Sequence, residues 1–131
     1  MGIKKRLEEE YDYEVVDEFI DHFDIMTEVM EPTIIALDAS FVEKERIDEL
    51  FRIFHNIKSA TSYLKIERIY LLAELAEEEM ERIRSNPASV DENVIDWLLL
   101  VSDQMRKWYK ELMADEDLTP IDPKILNLPE Y

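Results

Sequence analysis

The sequence predicts an all-α fold, an antiparallel up-down four-helix bundle with short flanking elements at both ends. Three observations predict it. Four long stretches carry apolar residues at spacings of three and four, the period of a helix buried along one face. Short segments holding Pro, Ser, Asn and Asp separate them, so successive helices must fold back side by side. A length of 131 residues with 47% hydrophobic content supports one core but not two.

Residues 1–12 read as an N-terminal flank and residues 13–114 as the bundle. The first helix is expected over about 14–37, with Val15, Val16, Phe19, Phe23, Met26, Met30 and Ile34 along one side. Pro32 lies inside it and is expected to kink or interrupt it, since proline lacks the amide hydrogen and crowds the preceding turn. Asp38-Ala39-Ser40 is a connection. Ser40 followed by Glu43 is a capping box that opens the second helix, about 41–63. There Ile47, Leu50, Phe54, Ile57, Thr61 and Leu64 mark the buried face. The third helix, about 66–85, turns Ile66, Ile69, Ala73, Ala76, Met80 and Ile83 inward. Ser85 to Ser89, with Pro87, breaks the pattern, and Ser89 with Glu92 forms a second capping box. The fourth helix, about 90–113, carries Val94, Leu98, Val101, Met105, Trp108 and Leu112. Residues 115–131 are a Pro-rich apolar tail, with Ile121, Ile125, Leu126 and Leu128, expected to pack on the bundle in part, the alternatives being a partner-binding strip or a linker.

Composition excludes several functions. Gly2 is the single glycine and precedes the expected bundle, so there is no phosphate-cradling loop and no dinucleotide-binding turn. Without cysteine there is no disulfide, thiolate nucleophile or Cys-based metal site. A bundle metal site built on Glu-x-x-His needs the glutamate three before each histidine, where Phe19 precedes His22 and Arg52 precedes His55. The six methionines, Trp97 and Trp108 read as packing. No apolar run approaches the ~20 residues of a membrane span, no signal-peptide core is present, and Arg6 stands where a myristoylation signal has Ser or Thr. A cytoplasmic monomer without membrane contact is expected. The formal charge of −17 opposes binding to nucleic acid.

That charge is uneven. Between Glu43 and Arg68 six Lys/Arg face five Asp/Glu, so the least acidic stretch surrounds His55. At ~100° per residue, His55, Lys58, Ser59 and Ser62 share one helix face. The imidazole lies at the edge of the apolar stripe, reachable by a partner and beside a cation that steadies an anion. A neutral imidazole so placed suits nucleophilic attack on phosphoryl groups.

The run His55-Asn56-Ile57-Lys58-Ser59-Ala60 resembles the His-x-x-Lys-Gly/Ser-small signature of histidine-containing phosphotransfer (HPt) domains, above all those at the front of chemotaxis histidine kinases. The resemblance extends over Phe19 to Met30, Leu50-Phe51-Arg52, Leu75 to Met80, Asn93 to Asp96 and Asp103 to Met105, about a hundred residues from Tyr13 to Leu112. It departs at Ser59, where the family often has glycine, and at Phe54 and Tyr63, where it has small residues.

The resemblance implies a phosphoryl carrier rather than an enzyme. His55 is the implied phosphoacceptor at its far ring nitrogen. The near nitrogen is expected to donate to a carboxylate on the next helix, at the position of Glu77, with Glu74 a second polar partner. Lys58 is expected to attract the phosphoryl oxygens, and Ser59 and Ser62 to donate hydrogen bonds to them. The implied partners are a histidine kinase catalytic domain and a response-regulator receiver domain, docking on Arg52, Ile53 and Tyr63. No cofactor is implied on this chain; the Mg²⁺ belongs to the partner. His22 is expected at the surface. An alternative is a non-phosphorylated helical adaptor, favoured if Phe54 and Tyr63 cover His55. The start at Met1 and the apolar tail favour a free-standing module over an excised kinase domain.

Overall fold

The computed structural model describes residues 2–38 and 44–129. Among the described residues five helices follow one another: α1 (Ile3–Glu10), α2 (Tyr13–Ile35), α3 (Lys44–Leu64), α4 (Glu67–Ser85) and α5 (Glu92–Met113). Single 3₁₀ turns occupy Ala36–Asp38, Pro87–Ser89 and Pro123–Leu126, and there is no strand among the described residues. Helices α2 to α5 form the bundle: α3 packs on α2 and α4, α5 on α4 and α2, so the ring closes. No helix of the described residues is long and apolar enough to cross a membrane.

The buried stripes follow the three-four spacing. Phe23, Met30 and Ile34 of α2 meet Ile47, Leu50, Phe54 and Ile57 of α3, Ile69, Ala73, Ala76 and Met80 of α4, and Val94, Leu98, Val101, Met105 and Trp108 of α5, all fully buried. Val15 and Met26 are only partly buried, at the margin of this core. Arg106 ties α5 to α2, donating to the Asp24 carboxylate at 2.6 Å and to Thr27 Oγ1 at 3.0 Å.

Pro32 does not interrupt α2, which runs on to Ile35. The proline deletes one amide near the helix end, and both Pro32 and Glu28, whose carbonyl loses its partner, lie on the exposed side. Buried Met30, Thr33 and Ile34 hold the last turn, and Thr33 Oγ1 donates to the Val29 carbonyl at 2.7 Å. The capping box at Ser40 falls outside the described residues. At α5 the cap is Asp91, not Ser89: its carboxylate accepts from Val94 N at 3.0 Å, because Ser89 belongs to the preceding 3₁₀ turn and donates to the Asn86 carbonyl.

With no interior glycine, two helices end on non-glycine residues in the left-handed region, Lys65 (φ 57°) and Asp115 (φ 54°). After α3, Ile66 N bonds back to the Thr61 carbonyl and Lys65 N to that of Ser62; after α5, Glu116 N and Asp115 N repeat the pattern. A Cβ in that region costs roughly 1–2 kcal/mol. Lys65→Gly should therefore stabilise the protein by about 1 kcal/mol, read as a higher urea midpoint at unchanged slope.

Both flanks pack on the bundle. Leu7 of α1 is fully buried. Arg6 and the Tyr11 hydroxyl donate to the Lys65 and Tyr63 carbonyls, capping the end of α3. Gly2 is part of the fold rather than ahead of it, since a Cβ there would overlap the Asp115 carbonyl. In the tail Leu118 and Ile125 are buried, while Leu126 and Leu128 are exposed. The indole of Trp97 donates to the Ile125 carbonyl at 2.7 Å and that of Trp108 to the Thr119 carbonyl at 2.8 Å.

Candidate functional site

The third and fourth helices are joined by only two residues, Lys65 and Ile66, and pack closely along their length. This sets the exposed edge of α3 beside that of α4. His55 lies one turn after Phe51 on α3, with its side chain 52% exposed. Opposite it on α4 stands Glu77, next to buried Ala76 and only 14% exposed.

Glu77 joins the two predicted groups of α3. Its Oε1 lies 2.9 Å from His55 Nδ1, and its Oε2 lies 2.8 Å from Lys58 Nζ. Burial alone raises the carboxyl's pKa; the hydrogen bonds from Lys58 and then His55, with their charges, outweigh it and hold the group below its ordinary 4.5. An ionised carboxylate only accepts, so in the neutral ring Nδ1 carries the proton and Nε2 keeps the lone pair. The Lys58 ammonium is held above its ordinary pKa by the hydrogen bond to Glu77, which outweighs its desolvation. Lys58 thus sits on Glu77, sharing with His55 the same carboxylate.

A carboxylate whose folded pKa is lowered contributes stability above its unfolded pKa, lost as pH falls through the folded value. Glu77→Gln should remove that part of the acid destabilisation. Urea midpoints compared at neutral pH and at about pH 3 should differ less in the variant than in the parent chain. An equal loss in both would show that Glu77 titrates as an ordinary carboxyl.

The other predicted residues are placed as follows. Glu74 pairs with the Tyr70 hydroxyl, raising the tyrosine's pKa, and reaches Lys58 only through space. Ser59 and Ser62 are exposed on the His55 face, as is Arg52. Ile53 is buried and faces the core, so it cannot belong to an exposed patch; it lies two residues before His55, on the far side of the helix. Phe54 is fully buried. Tyr63 is 66% exposed and packs on Tyr11, ring centroids 5.7 Å apart, two turns beyond His55. His22 is exposed on α2 and lines a groove with Asn56 and Ala60 of α3.

Two features were not read from the sequence. The first is that groove, about 470 Å³ between α2 and α3, with Val15, Phe19, Ile25 and Met26 on one wall. Ile25 stands outside the α2 stripe, and an apolar residue off the stripe was the available signal. The second is Phe51, whose ring lies nearly parallel to the His55 imidazole (9°, centroids 6.2 Å apart) beneath the Arg84 guanidinium. Their spacings, four before His55 and seven after Glu77, are the signals that mark a shared face.

The family model of the Hpt domain matches residues 14–115. The chain is also similar to the chemotaxis protein CheA of Treponema pallidum (strain Nichols), 24% identical over 93 residues. That alignment covers 71% of this chain and 12% of CheA, so the chain spans a small part of that relative's length. No solved structure matches it. A match over all four bundle helices, the His-x-x-Lys helix included, places this chain in the Hpt domain family.

Proposed function

We propose that His55 carries a phosphoryl group between a histidine kinase, or a phosphorylated receiver, and the aspartate of a response-regulator receiver domain. Hpt domains serve histidine phosphotransfer in phosphorelay signalling, as carriers rather than catalysts. The observation that supports His55 as the carrier is its geometry: Nδ1 bonded to the Glu77 carboxylate at 2.9 Å, with the ring half exposed.

The chemistry follows from that geometry. The Nε2 lone pair attacks phosphorus; the new P–N bond forms as the bond from phosphorus to the donor's oxygen breaks, and the donor leaves as ADP or an aspartate carboxylate. Nδ1 keeps its proton against Glu77, which stabilises the positive charge that the imidazole acquires. Lys58, 2.8 Å from Glu77, lowers the repulsion felt by an incoming dianion. Mg²⁺ and a receiver lysine, both on the partner, would supply the remaining charge neutralisation.

The receiver's docking surface is the groove of Phe19, Ile25, Met26, Ala60 and Tyr63, together with exposed Arg52 on the His55 face of α3. A shallow groove suits a carrier that must release each partner, with an interface below about 1,200 Å². The adaptor reading needs Phe54 or Tyr63 to cover His55; Phe54 lies in the core and Tyr63 against Tyr11, and neither supports it.

The test is uptake. Mixed with a receiver domain labelled on its aspartate, the chain should gain acid-labile, base-stable label and return it to fresh receiver. No label from a range of receivers and kinases, with the helical spectrum intact, would overturn the proposal.

A further inference from the structure

We infer that Phe51 and Arg84 are positioning residues for His55, holding the imidazole in the plane that sets Nδ1 on Glu77 and Nε2 outward. The inference rests on the phosphotransfer reading and extends it to two side chains outside the predicted site.

One hydrogen bond fixes a distance but not a plane. The second torsion of a histidine is broad and roughly two-fold, so an exposed ring can rock or flip, exchanging Nδ1 for a carbon. Beside His55 lies the Phe51 ring, inclined by only 9° at 6.2 Å between centroids, and a rocking imidazole would break that stack. Phe51 is partly buried, its ring packed against the core. The Arg84 guanidinium lies over it, 4.3 Å from the ring centroid. Arg84 is itself fixed by two carboxylates: Nε is 3.2 Å from Asp48 on α3, and an Nη atom is 3.3 Å from Glu81 on α4. Helices α3 and α4 are therefore tied twice, at Glu77 and at Arg84, with Phe51 and His55 stacked between the ties. Arg84 thus links Asp48 to the Phe51 face in a continuous path of contacts that ends at the imidazole.

The test uses the full chain in three variants, Phe51→Leu, Arg84→Gln and Arg84→Lys, with two readouts. The first is the tautomer of the neutral His55 ring, from ¹⁵N shifts and couplings of the unphosphorylated protein. The second is phosphotransfer from a labelled receiver, split into kcat and KM. Phe51→Leu should move population from the Nδ1–H toward the Nε2–H tautomer and lower kcat about tenfold with KM little changed. Arg84→Gln should act in the same direction and less, and Arg84→Lys should restore most of the loss. An unchanged tautomer and kcat in Phe51→Leu and Arg84→Gln would overturn the inference. Should Phe51→Leu fail to fold, Arg84→Gln decides alone, since Arg84 is 38% exposed and outside the core. The tautomer needs no phosphoryl donor, so it judges the positioning role even if the parent chain takes no label and the phosphotransfer reading fails.

Discussion

His55→Gln should abolish phosphoryl uptake while leaving the bundle folded. Glutamine offers no nucleophilic ring nitrogen, so the P–N bond has no atom on which to form. The cost to folding is small. The ring is half exposed and adds one hydrogen bond to a carboxylate that keeps a second partner in Lys58. A substitution of that kind lies within about 1 kcal/mol of neutral. Label counted after transfer from a receiver, with thermal unfolding of the same sample, gives both halves of the result. Label retained in the variant would move the acceptor to His22 or elsewhere.

Glu77→Ala should slow transfer by about a hundredfold, chiefly in kcat, without preventing it. Two effects combine. The carboxylate that selects the Nδ1–H tautomer is gone, so part of the population presents a protonated Nε2 that cannot attack. The positive charge acquired by the ring during attack also loses the group that stabilises it. Lys58 is released from Glu77 toward solvent or the phosphoryl group, which makes the loss smaller than removal of the acid alone. Glu77→Asp, shorter by one methylene, should fall between the two. A Glu77→Ala variant with parental kcat would show that the 2.9 Å contact is structural only.

Much of this was legible in the sequence, and particular residues show why the rest was not. The stripes of α3, α4 and α5 could be read because a helix in a bundle repeats one buried face every three or four residues, and Trp108 or Ile57 sits where that period puts it. That Pro32 does not interrupt α2 was not legible because propensity is local, while buried Met30 and Ile34 on either side hold the turn together. At α5 two hydroxyl or carboxylate residues, Ser89 and Asp91, compete for one cap, and only the 3₁₀ turn that takes up Ser89 decides. The partnership of His55, Lys58 and Glu77 was readable as a family likeness, but that Lys58 rests on Glu77 depends on the register of α3 against α4, which no single-helix pattern contains. Ile53 was misplaced because two residues along a helix turn by about 200°: near His55 in sequence, it lies on the opposite, buried side. Phe51 and Arg84 went unread because an aromatic near a core stripe looks like packing until its second neighbour is known.

The claim that His55 accepts at its outward nitrogen is tested most directly by NMR of the phosphorylated, ¹⁵N-labelled chain. Phosphorus–nitrogen coupling assigns the modified atom. The geometry predicts one phosphoramidate, on Nε2 of His55, with Nδ1 still protonated against Glu77. Coupling to Nδ1, or a phosphoryl group on His22, would contradict it.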